Sequence, residues 1–219
     1  MDQVHYFTDN RNLASNRKEF SFRFLGNLYN FISDDGVFSK KNVDYGTLVL
    51  LEAAVKEEIQ GKVLDFGCGY GVIGIVLQNK FSTSYIISSD INPRAVELAN
   101  LNYQKNGLEN KAIVSNGFEN INDTFDWIFL NPPIRTGKAN IYHLFDEAYN
   151  HLDENGKFMI VIQKKQGAES AIKKLETLFS TVKIVEKDRG YWVIQSVKWK
   201  LTKIMTNVNI INCKKAKIQ

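Results

Sequence analysis

The residues with the clearest chemical potential lie in the segment VLDFGCGYGVIG, from Val63 to Gly74. From Gly69 the segment reads G-x-G-x-x-G, the glycine spacing of dinucleotide sites, where the backbone approaches a pyrophosphate closely. An acidic residue, Asp90, follows at about the distance where such sites bind a ribose hydroxyl. The segment therefore predicts a nucleotide-like cofactor at the end of a strand.

Asp65, at the end of an apolar run and just before Gly67, discriminates between two cofactors. In a dinucleotide site it would face a doubly charged anion. Each like-charge pair at about 5 Å costs roughly 3 kcal/mol at an effective dielectric constant of about 20. S-adenosylmethionine has no phosphate and carries an ammonium and a sulfonium group, which a carboxylate favours. Asp90 suits either cofactor, because both offer a ribose diol. The segment therefore favours S-adenosylmethionine over a nicotinamide cofactor and an oxidoreductase activity.

A second motif, LNPPI, follows a later apolar run. Read alone, Pro-Pro is a rigid turn that ends a strand. However, the side-chain carbonyl of Asn131 and the backbone carbonyl of Pro132 are also two acceptors at fixed geometry. Together they can accept both hydrogens of a planar NH2 group and leave the nitrogen lone pair directed at a methyl donor. Such a reaction depends on positioning and requires no metal ion. We predict no metal site, because His143 and His151 lack a ligand spacing.

The elements that must position these motifs follow one another along the chain. The residue patterns predict a β-hairpin over Phe20–Ser33 and a helix over Thr47–Ile59. Strands are then predicted at KVLDFG, SYIISSD, KAIVSN, FDWIFLNPP and GKFMIVIQ, and helices at GVIGIVLQNK, NPRAVELANLNYQKNG, NIYHLFDEAYNHL and AESAIKKLETLF. This alternation predicts a parallel sheet with right-handed crossovers. Two final β-rich runs, separated by KDRG, predict an antiparallel hairpin.

In combination, the motifs resemble class I S-adenosylmethionine-dependent methyltransferases. VLDFGCGYG resembles the first motif of that family, SSDINPRAVELA its ribose-binding segment and LNPPI its catalytic motif. The resemblance implies a Rossmann-like α/β fold: a seven-stranded, mostly parallel sheet with an antiparallel last strand, plus an N-terminal β-hairpin. More narrowly, DDGVFSKKNVDYGTLVLLEA and NPPIRTGK are similar to small-domain enzymes that methylate guanine N2 in bacterial 16S ribosomal RNA. We expect a hairpin and cofactor-covering loop over 1–46, a methyltransferase domain over 47–200 and a polar tail over 201–219.

The resemblance also implies a role for each motif position. The implied cofactor-binding residues are Asp65, Gly67, Gly69, Gly71, Asp90, Ile91, Asn116, Gly117, Phe118 and Asn131. The implied catalytic residues are Asn131, Pro132 and Pro133. The expected substrate-binding residues are Phe38, Ser39, Asp44, Ile134, Arg135 and Lys138, the last two through RNA phosphates. From its position alone, Asp44 suits a helix start equally well. Ile134 stands where many such enzymes have an aromatic residue, so part of the base stacking is given up.

Composition limits the remaining choices. The chain is 44% hydrophobic and has two cysteines, and its first residues, MDQVHYFTDNRN, lack a signal-peptide layout, so we expect a cytoplasmic protein without a membrane segment. A net charge of +4 permits a nucleic-acid partner without requiring one. The resemblance predicts methyl transfer to an exocyclic amine, above all guanine N2 of small-subunit ribosomal RNA, with that RNA or the small subunit as partner. N5 methylation of a protein glutamine and a non-catalytic ribosome-assembly factor stay open as alternatives, and the oligomeric state is not determined.

Overall fold

The computed structural model describes residues 15–37, 42–82, 84–109 and 112–199, and of Arg135 the backbone alone. The strands are β1 (Lys18–Phe24), β2 (Asn27–Ser33), β3 (Lys62–Phe66), β4 (Tyr85–Asp90), β5 (Ala112–Val114), β6 (Phe125–Leu130), β7 (Leu152–Gln163), β8 (Thr181–Asp188) and β9 (Tyr191–Val197). The helices are α1 (Tyr45–Ala54), α2 (Val72–Lys80), α3 (Pro93–Lys105), α4 (Lys138–Asn150) and α5 (Ala168–Glu176). Among these residues, no helix combines the length and apolar composition that a bilayer crossing requires.

One seven-stranded sheet, in the order β5-β4-β3-β6-β7-β9-β8, carries the fold. Strands β3 to β7 are parallel, while β9 runs antiparallel between β7 and β8. The α/β fold predicted from the sequence is therefore confirmed, including the antiparallel last strand. The strand order reverses between β3 and β6, where open parallel sheets bind ligands at their carboxyl ends. We call the carboxyl ends of β3 to β7 the site edge.

Side chains of the central strands are buried on both faces of the sheet. In β6, Trp127 and Phe129 pack on the face that α1, α2 and the hairpin cover, whereas Ile128 and Leu130 pack on the face of α4 and α5. The Trp127 and Phe129 rings stack at 5.6 Å between centroids. Because both faces are covered, these strands read as continuous apolar runs in the sequence rather than as an alternating pattern.

The predicted N-terminal hairpin is confirmed, and α3 holds it in place. Leu25 and Gly26 form the turn between β1 and β2, both with positive φ (49° and 80°), the conformation that suits the twist of a tight hairpin. The Asn102 side chain accepts from the Ile32 N–H at 2.7 Å and donates to the Ile32 carbonyl at 2.9 Å. Asn106, one turn later, makes the same pair of bonds to Asn30, at 3.0 and 2.8 Å. Two asparagines thus satisfy the free edge of β2.

The carboxyl-terminal limit predicted for the first helix is wrong. The prediction covers 47–59, but α1 ends at Ala54. Ile59 is 2% exposed in the core, and its carbonyl accepts a hydrogen bond from the Ser84 hydroxyl at 3.1 Å. The chain must leave the helix to bury Ile59 and to enter β3, so packing overrides the helical pattern. The predicted tail, 201–219, lies outside the described residues.

Candidate functional site

The loop from β3 to α2 leaves open space beside two of its glycines. Gly67, Gly69 and Gly71 all have left-handed φ values (67°, 56° and 93°), which favour glycine. A Cβ atom on Gly69 would meet no atom within 4 Å, and one on Gly67 would meet Leu130 alone, at 3.6 Å. Gly71 differs, because a Cβ atom there would lie 3.2 Å from the Ala99 side chain. Gly67 and Gly69 therefore form a cradle where a ligand can approach the backbone, whereas Gly71 allows α2 to pack closely on α3.

Asp90, the last residue of β4, fixes this loop to the neighbouring strand. One carboxylate oxygen accepts from the Gly69 N–H and the other from the Asn92 N–H, both at 2.9 Å. The Asp90 side chain is 3% exposed, while Ile91 beside it is 43% exposed. The edge therefore presents a fixed carboxylate next to an open apolar side chain, and the ribose and adenine contacts of these two residues stay predictions.

Asp65 lies beneath the glycine loop rather than in open space. Its residue is 0% exposed, and its Oδ2 atom accepts from the Gly74 N–H in the first turn of α2 at 2.9 Å. Asp65 shares the sheet face of Val63, which α2 covers, and this explains its direction. Its Oδ1 atom has no hydrogen-bond partner in the described part of the chain. Burial raises the pKa of Asp65 to about 7; the bond from Gly74 opposes the rise, and the nearby charge of Asp90 adds to it.

The surroundings of Asp65 explain a residue that the sequence analysis missed. The Ser88 and Tyr103 hydroxyl oxygens lie 2.6 Å apart in a buried hydrogen bond. A Cβ atom on Gly74 would lie 2.0 Å from the Tyr103 oxygen and 2.6 Å from the Ser88 oxygen. Gly74 therefore leaves room for this pair while it donates to Asp65. The last glycine of the G-x-G-x-x-G pattern was the available signal, although the pattern does not identify the two neighbouring hydroxyls.

The residues that follow β5 divide between the surface and the core. Asn116 is exposed, and its amide donates to Glu119 at 2.8 Å. Phe118 is 5% exposed, and its ring lies 4.6 Å from Phe66 and stacks on His151 at 4.0 Å. Of the residues predicted to border the adenine, Asn116 thus lies at the surface after β5, whereas the Phe118 ring is part of the core. Gly117 has a φ of 56°, and a Cβ there would lie 2.5 Å from the Glu147 carboxylate.

Asn131, directly after β6, is held by two side chains of the α1 region. Its Nδ2 atom donates to the Asp44 carboxylate at 2.9 Å and to the Thr47 hydroxyl at 3.0 Å. Both amide hydrogens are thereby engaged, and Oδ1 is left as an acceptor. Among the described residues, nothing donates to Asn131 Oδ1 or to the Pro132 carbonyl. The Pro133 carbonyl instead accepts from the Thr136 N–H and hydroxyl, at 3.0 and 2.8 Å.

Asp44 lies at the start of α1, which is one of the two roles predicted for it, and its substrate-binding role stays a prediction. It is the N-cap of α1, where it accepts from the Thr47 N–H at 3.1 Å, and it also accepts from Asn131. Ile134 is half-buried at the start of a 3-10 turn, Ile134–Thr136. Lys138 is exposed as the first residue of α4. The remaining predicted substrate-binding positions, Phe38, Ser39 and the Arg135 side chain, lie outside the described residues.

Metal ligation finds no support in the part of the chain that the structure describes. There, no group of three or more His, Cys, Asp or Glu residues is arranged to hold an ion. Cys68, in the glycine loop, is buried, and burial raises its pKa well above the usual value for a thiol. A neutral, buried thiol is neither a strong nucleophile nor a good metal ligand.

The chain is similar to known methyltransferases over most of its length. The family model described as methyltransferase small domain matches residues 28–195. A Bacillus subtilis protein, described as uncharacterized protein YbxB, is 45% identical over 197 residues, which cover 89% of this chain and 98% of that protein. Ribosomal RNA small subunit methyltransferase C of Pseudoalteromonas translucida is 33% identical over 192 residues, which cover 84% of this chain and 54% of that protein.

A solved structure is also similar to this chain. The 16S rRNA N2 methyltransferase of T. thermophilus, in complex with AdoMet and guanosine, superposes with a TM-score of 0.76 at 28% sequence identity. The match covers 85% of this chain and 52% of that one. The chain therefore spans about half the length of these ribosomal RNA methyltransferases, over the part that contains the glycine loop and the Asn-Pro-Pro motif.

Proposed function

Because the chain belongs to the methyltransferase small domain family, we propose that it methylates N2 of a guanine in small-subunit ribosomal RNA in the cytoplasm. The observation that carries this proposal is the hydrogen bonding of the Asn131 side-chain amide. Asp44 and Thr47 accept both of its amide hydrogens. The amide is thereby oriented with its oxygen available to a donor, and an exocyclic NH2 group is such a donor.

The methyl donor is S-adenosylmethionine, as the sequence predicts. When bound, it supplies an electrophilic methyl group. The residues of this chain fit it, because Gly67 and Gly69 leave an open cradle at the site edge. The Asp90 carboxylate, which the Gly69 and Asn92 N–H groups hold in place, is the group proposed to bind the ribose hydroxyls. Ile91, which is 43% exposed, offers an apolar face to the adenine.

The amine is held by two acceptors at the end of β6. Asn131 Oδ1 and the Pro132 carbonyl accept its two N–H groups, so the nitrogen lone pair points out of that plane. The new N–C bond would form as the S–C bond of the methyl donor breaks and leaves a neutral thioether. The nitrogen would then lose one proton to solvent, and no strong base is needed because the positively charged, alkylated nitrogen is acidic. The rate enhancement derives from orientation and from the exclusion of water. Half-buried Ile134 packs against the base in place of an aromatic ring.

Transfer of radiolabelled methyl to three acceptors in parallel tests the proposal: unmodified small-subunit RNA, assembled small subunits, and a protein with an acceptor glutamine. We expect label in RNA, recovered as N2-methylguanosine. Asn131→Ala should lower turnover by about 100-fold or more, because the amine loses its fixed orientation. The matched control is Asn122→Ala, an exposed asparagine ahead of β6, which should retain wild-type turnover.

The other outcomes separate the alternatives. Label in the protein would replace this proposal by glutamine N5 methylation, whose acceptor is also a planar NH2 group. Binding of S-adenosylmethionine without label in any acceptor would favour a non-catalytic assembly factor. Equal turnover of Asn131→Ala and Asn122→Ala would remove the role proposed for the Asn131 amide.

A further inference from the structure

Four lysines lie together at the site edge, beyond the amine position. We propose that Lys138, Lys164, Lys165 and Lys173, which we call the lysine rim, bind the phosphate backbone of the RNA. The inference rests on the proposed RNA substrate, and it assigns the surface that holds this substrate while one base enters the site. Phosphate contacts of this kind fix the register and orientation of a nucleic acid and carry no sequence information.

The topology places the rim at the same end of the sheet as Asn131. β7 pairs with β6 in parallel, so both strands end at the same edge of the sheet. A 3-10 turn, Lys164–Gln166, follows β7 directly, and α5 follows that turn. A shallow concavity of about 300 Å³ is lined by Lys164, Lys165, Gly167, Glu169, Ser170 and Lys173. Lys138 reaches it from the segment after the Asn-Pro-Pro motif: its Cε atom lies 3.9 Å from the position of a Cβ on Gly167.

Most of the positive charge of the rim is not neutralised within the protein. Lys164 lies 3.7 Å from Glu169, and the two side chains are 61% and 67% exposed. An exposed pair of this kind contributes little and exchanges readily with other charges. In the described part of the chain, no carboxylate lies within ion-pair distance of Lys138, Lys165 or Lys173. The concavity therefore presents four ammonium groups against one carboxylate, an arrangement suited to a polyanion.

Two more cations extend the rim along the end of the last hairpin. The Lys164 N–H donates to the Gly190 carbonyl at 2.8 Å, which fixes the β8–β9 turn beside the 3-10 turn. The Trp192 ring lies beneath the Lys187 ammonium at 4.4 Å and the Lys164 ammonium at 5.6 Å. Arg189, in the turn itself, lies 5.1 Å from the Tyr45 ring. Lys187 and Arg189 thus place further positive charge beside the rim, at the end of the last hairpin.

The test compares two triple variants with the same loss of charge. The rim triple replaces Lys164, Lys165 and Lys173 by Gln. The control triple replaces Lys80, Lys105 and Lys183 by Gln, at the opposite edge of the sheet or close to it. Each set contains one lysine that pairs with a glutamate, since Lys105 lies 2.9 Å from Glu19. Binding of unmodified small-subunit RNA is measured from 50 to 300 mM salt, together with S-adenosylmethionine affinity and methyl transfer.

We expect the rim triple to weaken RNA binding at least about tenfold and to lower the salt slope by two to three, about one for each phosphate that the variant no longer neutralises. Its S-adenosylmethionine affinity should match that of the wild type, which also shows that it folds. The control triple should stay within about twofold of the wild type for RNA. Equal RNA affinity of the two triples would overturn the rim, whether both are weakened or neither is. If the wild-type protein neither binds nor methylates RNA, the proposed function fails first.

Discussion

The two halves of the site edge are built in different ways. The cofactor half, at the ends of β3, β4 and β5, contains two buried carboxylates, Asp65 and Asp90. Backbone N–H groups 2, 9 and 21 residues away in the chain fix them. The acceptor half, at the ends of β6 and β7, contains an amide and exposed lysines. There Asn131 is held by Asp44 and Thr47, which lie 87 and 84 residues away in the chain. Local spacing thus determines one half, and the folded sheet determines the other.

The two halves also differ in the sign of their charge. The carboxylates suit a ligand with an ammonium and a sulfonium group, whereas the lysine rim suits phosphates. A nucleic-acid strand would be repelled from the first half, and a cationic cofactor would be repelled from the second. On the proposed function, the two halves would favour their two ligands by opposite charges. If this comparison is correct, substitutions in one half should change a different measured quantity from substitutions in the other.

The largest effect is expected on the free energy of unfolding, when the buried carboxylate of Asp65 is replaced. Because its folded-state pKa is raised from 3.8 to about 7, ionisation opposes folding: stability falls as the pH rises from about 4 to about 7 and is constant above that range. Asp65→Asn retains an oxygen for the Gly74 N–H and removes the titration. The variant should become more stable than the wild type as the pH rises, by at most about 4 kcal/mol at pH 8. Thermal unfolding from pH 5 to pH 8 measures this difference.

The matched control for Asp65→Asn is Asp126→Asn. The Asp126 side chain is at the surface, where it accepts from the Lys62 N–H at 2.8 Å. Its effect on the unfolding temperature should not change over the same pH range. If the difference between the wild type and Asp65→Asn were also constant with pH, the pKa of Asp65 would not be raised by burial, and the carboxylate would be ionised throughout this range.

The second largest effect is expected on cofactor affinity. Asp90→Ala removes the carboxylate predicted to bind the ribose and leaves the Gly69 and Asn92 N–H groups without their acceptor. A hydrogen bond to a charged group contributes about 1.5–3 kcal/mol, so the Kd of S-adenosylmethionine should rise about 10- to 100-fold. Isothermal titration calorimetry measures the Kd. Asp90→Asn keeps one acceptor oxygen, so its Kd should lie between those of the wild type and Asp90→Ala. A Kd within twofold of the wild type for Asp90→Ala would show that the cofactor half does not depend on this residue.

Features that depend on local spacing could be predicted from the sequence. The hairpin, the strand that contains Asp65, the turn glycines and the start of α3 at Pro93 all follow from patterns within a few residues. Features that depend on distant partners could not. Helix α1 ends early because the Ile59 side chain is buried in the core. Position 74 requires glycine because a Cβ atom there would collide with the Tyr103 hydroxyl. The two hydrogen bonds that hold the Asn131 amide, which we call the Asn131 clamp, require a particular placement of β6 against α1. No local sequence pattern contains that information.

That clamp gives the smallest of the three effects and the clearest separation of the halves. Thr47 is 8% exposed, and Thr47→Val keeps its shape but removes the oxygen that accepts from Asn131. The Asp44 bond remains, so the amide is loosened rather than lost, and one hydrogen bond of about 1 kcal/mol corresponds to roughly a fivefold decrease in kcat. Thr47→Ser restores the hydroxyl and should restore the rate. The Kd of S-adenosylmethionine should stay within twofold in both variants, because Thr47 acts through Asn131 on the amine. If Thr47→Val instead weakened the binding of S-adenosylmethionine and left kcat unchanged, Asn131 would belong to the cofactor half. The boundary between the two halves would then lie between β6 and β7.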